Sequence, residues 1–139
     1  MEKIVSMHPE KRGMLCHVLI RKDDITETRI NVSNDNEPLQ LSYTKVNKYD
    51  TFIPHIHIHY DKTVHITQES WVVVQGSINI EYYDIDKSYL CSKVLYAGDC
   101  SITYYGGHTY QSLEDGTLIY EFKNGPYLGQ EFDKKRFLI

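Results

Sequence analysis

Residues Pro54 to Gly76 read PHIHIHYDKTVHITQESWVVVQG and carry four of the chain's seven histidines, His55, His57, His59 and His65, together with Glu69. In a β-strand successive side chains alternate faces, so His55, His57 and His59 all point the same way, and Thr67, Glu69, Trp71 and Val73 do likewise after the turn. Two imidazoles and a carboxylate can then converge on a metal. A reversal near Thr63, with antiparallel indices summing to 126, predicts His57 opposite Glu69 and His55 opposite Trp71, with Asp61-Lys62-Thr63 at the tip. A shift of two residues brings His59 opposite Glu69 instead.

Around this segment, short runs rich in Val, Ile, Tyr and Thr recur between turn signals, and no window holds a 3.6-residue apolar period. The expected fold is all-β, a sandwich or small barrel in one domain spanning 1–139. Strands are predicted at Cys16–Ile20, Thr28–Val32, Leu39–Lys45, Thr51–His59, Val64–Gln75, Ser77–Tyr83, Ser92–Leu95, Cys100–Tyr104, Thr109–Leu113 and Thr117–Lys123. Turn chemistry separates them at Asn34–Pro38, Asp84–Ser88, Ala97-Gly98-Asp99, Gly106-Gly107 and Glu114-Asp115-Gly116, and Gly76 marks a tight hairpin.

With 139 residues the chain supports one hydrophobic core. Its net charge of −4 with scattered Lys and Arg offers no stripe for phosphate backbones, so nucleic acid is not an expected partner. No apolar run approaches the ~20 residues that span a bilayer, and MEKIVSMHPEKRG lacks a secretory apolar core, so neither a membrane nor an export route is expected. The expected location is the cytoplasm. Cys16, Cys91 and Cys100 are odd in number and irregularly spaced, which points to reduced, packed thiols.

Pro54-His55-x-His57 with Glu69 and Gly76, followed by Gly98-Asp99 and Gly106-Gly107-His108, resembles the two motifs of the cupin superfamily. The resemblance covers about Leu39 to Phe122. Leu39-Gln40-Leu41, Thr67-Gln68-Glu69, Tyr83-Asp84, Leu113-Glu114-Asp115 and Gly125-Pro126-Tyr127 narrow it to small single-domain cupins of the WbuC type, found with bacterial surface-polysaccharide genes. It implies a double-stranded β-helix, a jelly-roll-like barrel, with a metal near its mouth. The implied ligands are His55, His57, Glu69 and His108, with His59 and His65 as substitutes. Eleven residues separate His57 from Glu69, more than the family pattern has, and Tyr105 stands where a proline is usual.

Three imidazoles and one carboxylate suit a divalent first-row transition metal: Fe, Mn, Zn, Ni, Co or Cu. Tyr43, Gln68, Trp71, Tyr110 and Glu121 are candidate pocket residues. Glu121 and Lys123 alternate with Phe122, and facing inward they become acid, base or sugar-hydroxyl partners; a solvated strand face is the plainer alternative. His8 and His17 receive no role. The expected activity is metal-dependent isomerisation, epimerisation or oxygenation of a small polar metabolite, a sugar or sugar nucleotide. The alternative is a non-catalytic binding or regulatory module. A homodimer is expected through an amino-terminal strand or the tail after Gly125.

Overall fold

The computed structural model describes residues 1–138, so Ile139 of the single-domain reading lies outside the described residues. The strands are β1 (Glu2–Val5), β2 (Leu15–Ile20), β3 (Arg29–Asn31), β4 (Ser42–Thr44), β5 (Glu69–Gln75), β6 (Ser77–Tyr83), β7 (Tyr89–Tyr96), β8 (Cys100–Thr103), β9 (Gly107–Ser112) and β10 (Leu118–Lys123). One helical turn, α1 (Gln130–Asp133), follows in the tail. A mostly β chain is what its β-branched and aromatic runs favour, because such side chains pack well on a pleated surface.

The strands form a five-stranded sheet in the order β1-β2-β8-β5-β10, a three-stranded sheet β7-β6-β9, and the pair β3-β4. All pairings are antiparallel. Leu19, Trp71 and Val73 of the large sheet meet Ile78, Ile80, Tyr82 and Leu95 of the small one to make the core between them. Each fully buried aliphatic side chain there contributes about 1.5–3 kcal/mol. On the opposite face of the large sheet, Val18, Ile20, Ile102 and Tyr104 pack with Val32, Leu39, Leu41 and Tyr43.

Two sequence expectations are corrected. Between Thr44 and Glu69 the chain forms no strand, so neither Thr51–His59 nor the first five residues of Val64–Gln75 join a ladder. The sheet order excludes the predicted pairing with Glu69: β5 is flanked on both sides, by β8 and β10, and has no free edge to accept a histidine-bearing partner. Glu69 therefore stands opposite Thr103 and Lys123, and His57 is not its neighbour. Secondly, Gly76 is a corner and not a hairpin, since β5 and β6 lie in different sheets. Its φ of +78° and a Thr117 hydroxyl 2.5 Å from where a Cβ would lie leave room only for glycine.

The sequence reading missed β1. It pairs with β2, and the chain after it is held by Asp84, whose carboxylate accepts hydrogen bonds from the amides of Met7 (2.6 Å) and His8 (3.1 Å). Asp99, in the predicted Ala97-Gly98-Asp99 turn, accepts from the Lys22 and Tyr96 amides and from Arg21, which ties β2 to the β7–β8 turn.

Candidate functional site

Consecutive register pairs place His17, Thr103, Glu69 and Lys123 in one row across β2, β8, β5 and β10. Directly paired residues share a face of the sheet. The next row inward holds Leu19, Ser101, Trp71 and Glu121, so the face grades from apolar core to polar rim. From the opposite sheet comes His108 on β9, paired with Tyr82 of β6. The site is where the two sheets part.

His108 Nε2 lies 3.4 Å from Glu69 Oε1, and Lys123 Nζ lies 3.2 Å from Glu69 Oε2. The carboxylate thus sits between an imidazole and an ammonium. Burial pushes the Glu69 carboxyl up, but hydrogen bonding and charge from His108, then Lys123, outweigh it and bring the pKa down to about 2. Lys123 also contacts Glu121 (3.1 Å) and Asp133 (3.3 Å). Desolvation alone would lower its pKa; the surrounding carboxylates raise it above the usual lysine value.

Under His108 runs a chain of hydrogen bonds that assigns its protons. Thr103 Oγ1 is 2.9 Å from His108 Nδ1 and 3.0 Å from His17 Nδ1, and His17 Nε2 is 3.1 Å from the Tyr83 carbonyl oxygen. A carbonyl only accepts, so His17 Nε2 carries a proton. His17 is wholly buried, and desolvation lowers its pKa to about 4 despite the Tyr83 carbonyl, so near neutral pH its Nδ1 is bare. Thr103 donates to that nitrogen and accepts from His108, which places a proton on His108 Nδ1. His108 Nε2, facing a carboxylate at 3.4 Å, is the ring atom left to take a cation, either a proton or a metal ion.

Glu69, Thr103, His108, Glu121 and Asp133 line a cavity of about 890 Å³ between the sheets. Its wall is aromatic, with Trp71 edge-on to His108 (4.4 Å) and to Tyr110 (4.8 Å), and the indole N–H donating to Glu121 at 3.2 Å. Gly106 opens the turn to His108 with φ +82°, and a Cβ there would collide with the Tyr83 carbonyl oxygen.

Of the expected ligands the structure brings together Glu69 and His108. His55 and His57 stack edge-on at 5.3 Å on the exposed segment, and His55 Nδ1 lies 3.2 Å from the nearby Ile53 carbonyl oxygen. His59 lies 4.0 Å from Asp61, and His65 is exposed like its neighbours. Among the described residues, no three His, Cys, Asp or Glu side chains converge as a ready metal cage.

Of the expected pocket residues, Trp71, Tyr110 and Glu121 line the cavity. Tyr43 packs instead behind the large sheet. Gln68 is buried and engaged, accepting from the Leu39 amide and donating to Glu37. Sequence reasoning passed over His17, Thr103 and Asp133. For His17 a signal existed: a histidine inside the apolar strand LCHVLI has to find polar partners once buried.

Comparison with family models, with characterised proteins and with solved structures gave no significant match to this chain.

Proposed function

We propose that the chain is a cupin-type double-stranded β-helix whose inter-sheet cavity holds a small polar, sugar-type metabolite beside a divalent metal site built on Glu69 and His108. The observation that carries this reading is the hydrogen-bond chain from Tyr83 through His17 and Thr103, which occupies His108 Nδ1 and turns Nε2 toward Glu69. Metal-binding histidines are characteristically fixed in this way through their second nitrogen. The donor set fits a first-row divalent ion, with His55 and His57, or His59 and His65, supplying further imidazoles from the exposed segment.

When bound, such an ion supplies Lewis acidity toward a carbonyl or hydroxyl, or oxygen chemistry if it is iron. The chain's own residues do the rest. Thr103 and His17 hold the His108 ring and its tautomer, and Lys123 keeps Glu69 ionised. Trp71 and Tyr110 offer ring faces to the apolar side of a sugar, while Glu121 and Asp133 accept its hydroxyl protons. The link to surface-polysaccharide assembly rests on the motif resemblance alone. A homodimer belongs to the same reading, although β1 and Phe137 already pack on their own chain.

A second reading, a non-catalytic binding module, is favoured by Lys123: its ammonium meets Glu69 with a protein-borne cation where a metal would compete. Elemental analysis of untagged protein separates the two. Near-stoichiometric metal that is lost in a His57→Ala/His108→Ala variant supports the metal site. Absence of metal from both proteins after reconstitution sinks it in favour of the binding module.

A further inference from the structure

We propose that Lys134, Lys135 and Arg136, together with Lys87, form an anion subsite at the rim of the cavity that takes the phosphate of a phosphorylated sugar. The sugar half of this assignment rests on the function proposed above; the anion half stands on the tail itself.

All four cations line the same cavity as Trp71, His108 and Glu121. The segment that carries them is fastened at both ends. On one side Asp133 reaches Lys123 at 3.3 Å. On the other, the Phe137 ring lies edge-on to Tyr83 at 5.3 Å and covers Gly107, where an added Cβ would meet the ring at 2.8 Å. Gly107 has an extended backbone and needs no conformational licence; its missing side chain makes the seat for Phe137, one residue before His108. Lys87 joins from the β6–β7 turn, its Nζ 5.9 Å from the same ring.

Among the described residues none of the four makes an ion pair within 4.0 Å, although the chain has 19 acidic residues against 15 basic ones. Of the cavity's acidic groups, Glu69, Glu121 and Asp133 gather around Lys123, and the Asp84 carboxylate, nearer Lys87, is taken up by the amides of Met7, His8 and Ile85. The cavity is therefore divided, with carboxylates and aromatic rings suited to hydroxyls at one end and cations suited to an anion at the other. A neutral sugar would satisfy only the first. A phosphate ester satisfies both, since arginine and lysine together hold its oxygens by charge-assisted hydrogen bonds.

The test is calorimetric titration of the full chain at low salt with two probes, inorganic phosphate and inorganic pyrophosphate. Wild-type protein is expected to bind at least one saturably. Affinity should fall tenfold or more in Lys134→Gln/Lys135→Gln/Arg136→Gln and in Phe137→Ala, which keeps every charge but frees the segment. Lys3→Gln/Lys11→Gln/Arg12→Gln, with the same loss of charge outside the cavity, should bind like wild type. Equal affinity for the two probes assigns a sugar monophosphate, and pyrophosphate binding tenfold tighter assigns a nucleoside-diphosphate sugar. No binding by wild type, or equal loss in the two triple variants, overturns the proposal. Neither probe carries a sugar, so failure here is distinct from failure of the metal and sugar reading, which elemental analysis tests separately.

Discussion

Lys123 stands directly opposite Glu69 on the β10–β5 ladder, and its ammonium nitrogen lies 3.2 Å from one carboxylate oxygen. Both side chains are largely withdrawn from water, so each depends on the other. Lys123→Met leaves Glu69 with His108 alone and is expected to destabilise the fold by about 1–3 kcal/mol. Urea unfolding at neutral pH reads this directly, and an unchanged midpoint would show that the pair is not coupled. If the proposed metal site exists, the same variant removes the cation that competes for Glu69 and should tighten divalent metal binding.

Acid should weaken the fold before the carboxylates are reached. His17 titrates near 6.5 when unfolded and only at about 4 when folded, because it is buried. Between those values the unfolded chain holds the extra proton, so stability is full above pH 6.5 and falls as pH drops toward 4. The loss should total about 3 kcal/mol. Unfolding midpoints measured at half-unit steps of pH check the slope. His17→Gln, which cannot titrate, should flatten this window even if its overall stability is lower.

Two glycines of similar backbone angle should respond differently to alanine. Gly106 (φ +82°) faces the Tyr83 carbonyl, whereas Gly13 (φ +85°) has nothing within 4 Å of an added Cβ. Gly13→Ala carries the conformational cost alone, about 1–2 kcal/mol. Gly106→Ala adds a backbone collision next to His108 and is expected to cost more and to weaken ligand binding. Equal melting temperatures for the two variants would contradict the packing described at Gly106.

Trp71 is the only tryptophan and forms part of the cavity wall. Intrinsic fluorescence therefore reports on the site without labelling. Saturable change in emission is expected on titration with a sugar phosphate, and Glu121→Gln, which alters the indole N–H partner, should shift the starting emission. A flat response from a ligand shown by calorimetry to bind would place that ligand outside this cavity.

Much of the fold was legible in local patterning. Ser77–Tyr83 forms as predicted, and β2, β7, β8, β9 and β10 fall within a few residues of the expected strands, because period-two alternation with bounding turns is written into neighbouring residues. The turn glycines at 76 and 106 were marked by residue type. Glu69 was singled out by its alternation beside the histidines and His108 by the motif resemblance, and their contact at 3.4 Å joins residues 39 apart. The His-x-His segment had equally strong alternation, yet its predicted partner β5 is paired on both sides and has no edge to receive it.

What the sequence alone determined was therefore local: a mostly β chain and the positions of most strands and turns. Only the tertiary structure decided that β5 and β6 belong to different sheets, that Lys123 meets Glu69, and that a buried His17 fixes the tautomer of His108 through Thr103. The same holds for the tail, which Phe137 seats on Gly107. Each of these depends on pairing between segments distant in sequence, and strand order leaves no mark on local periodicity.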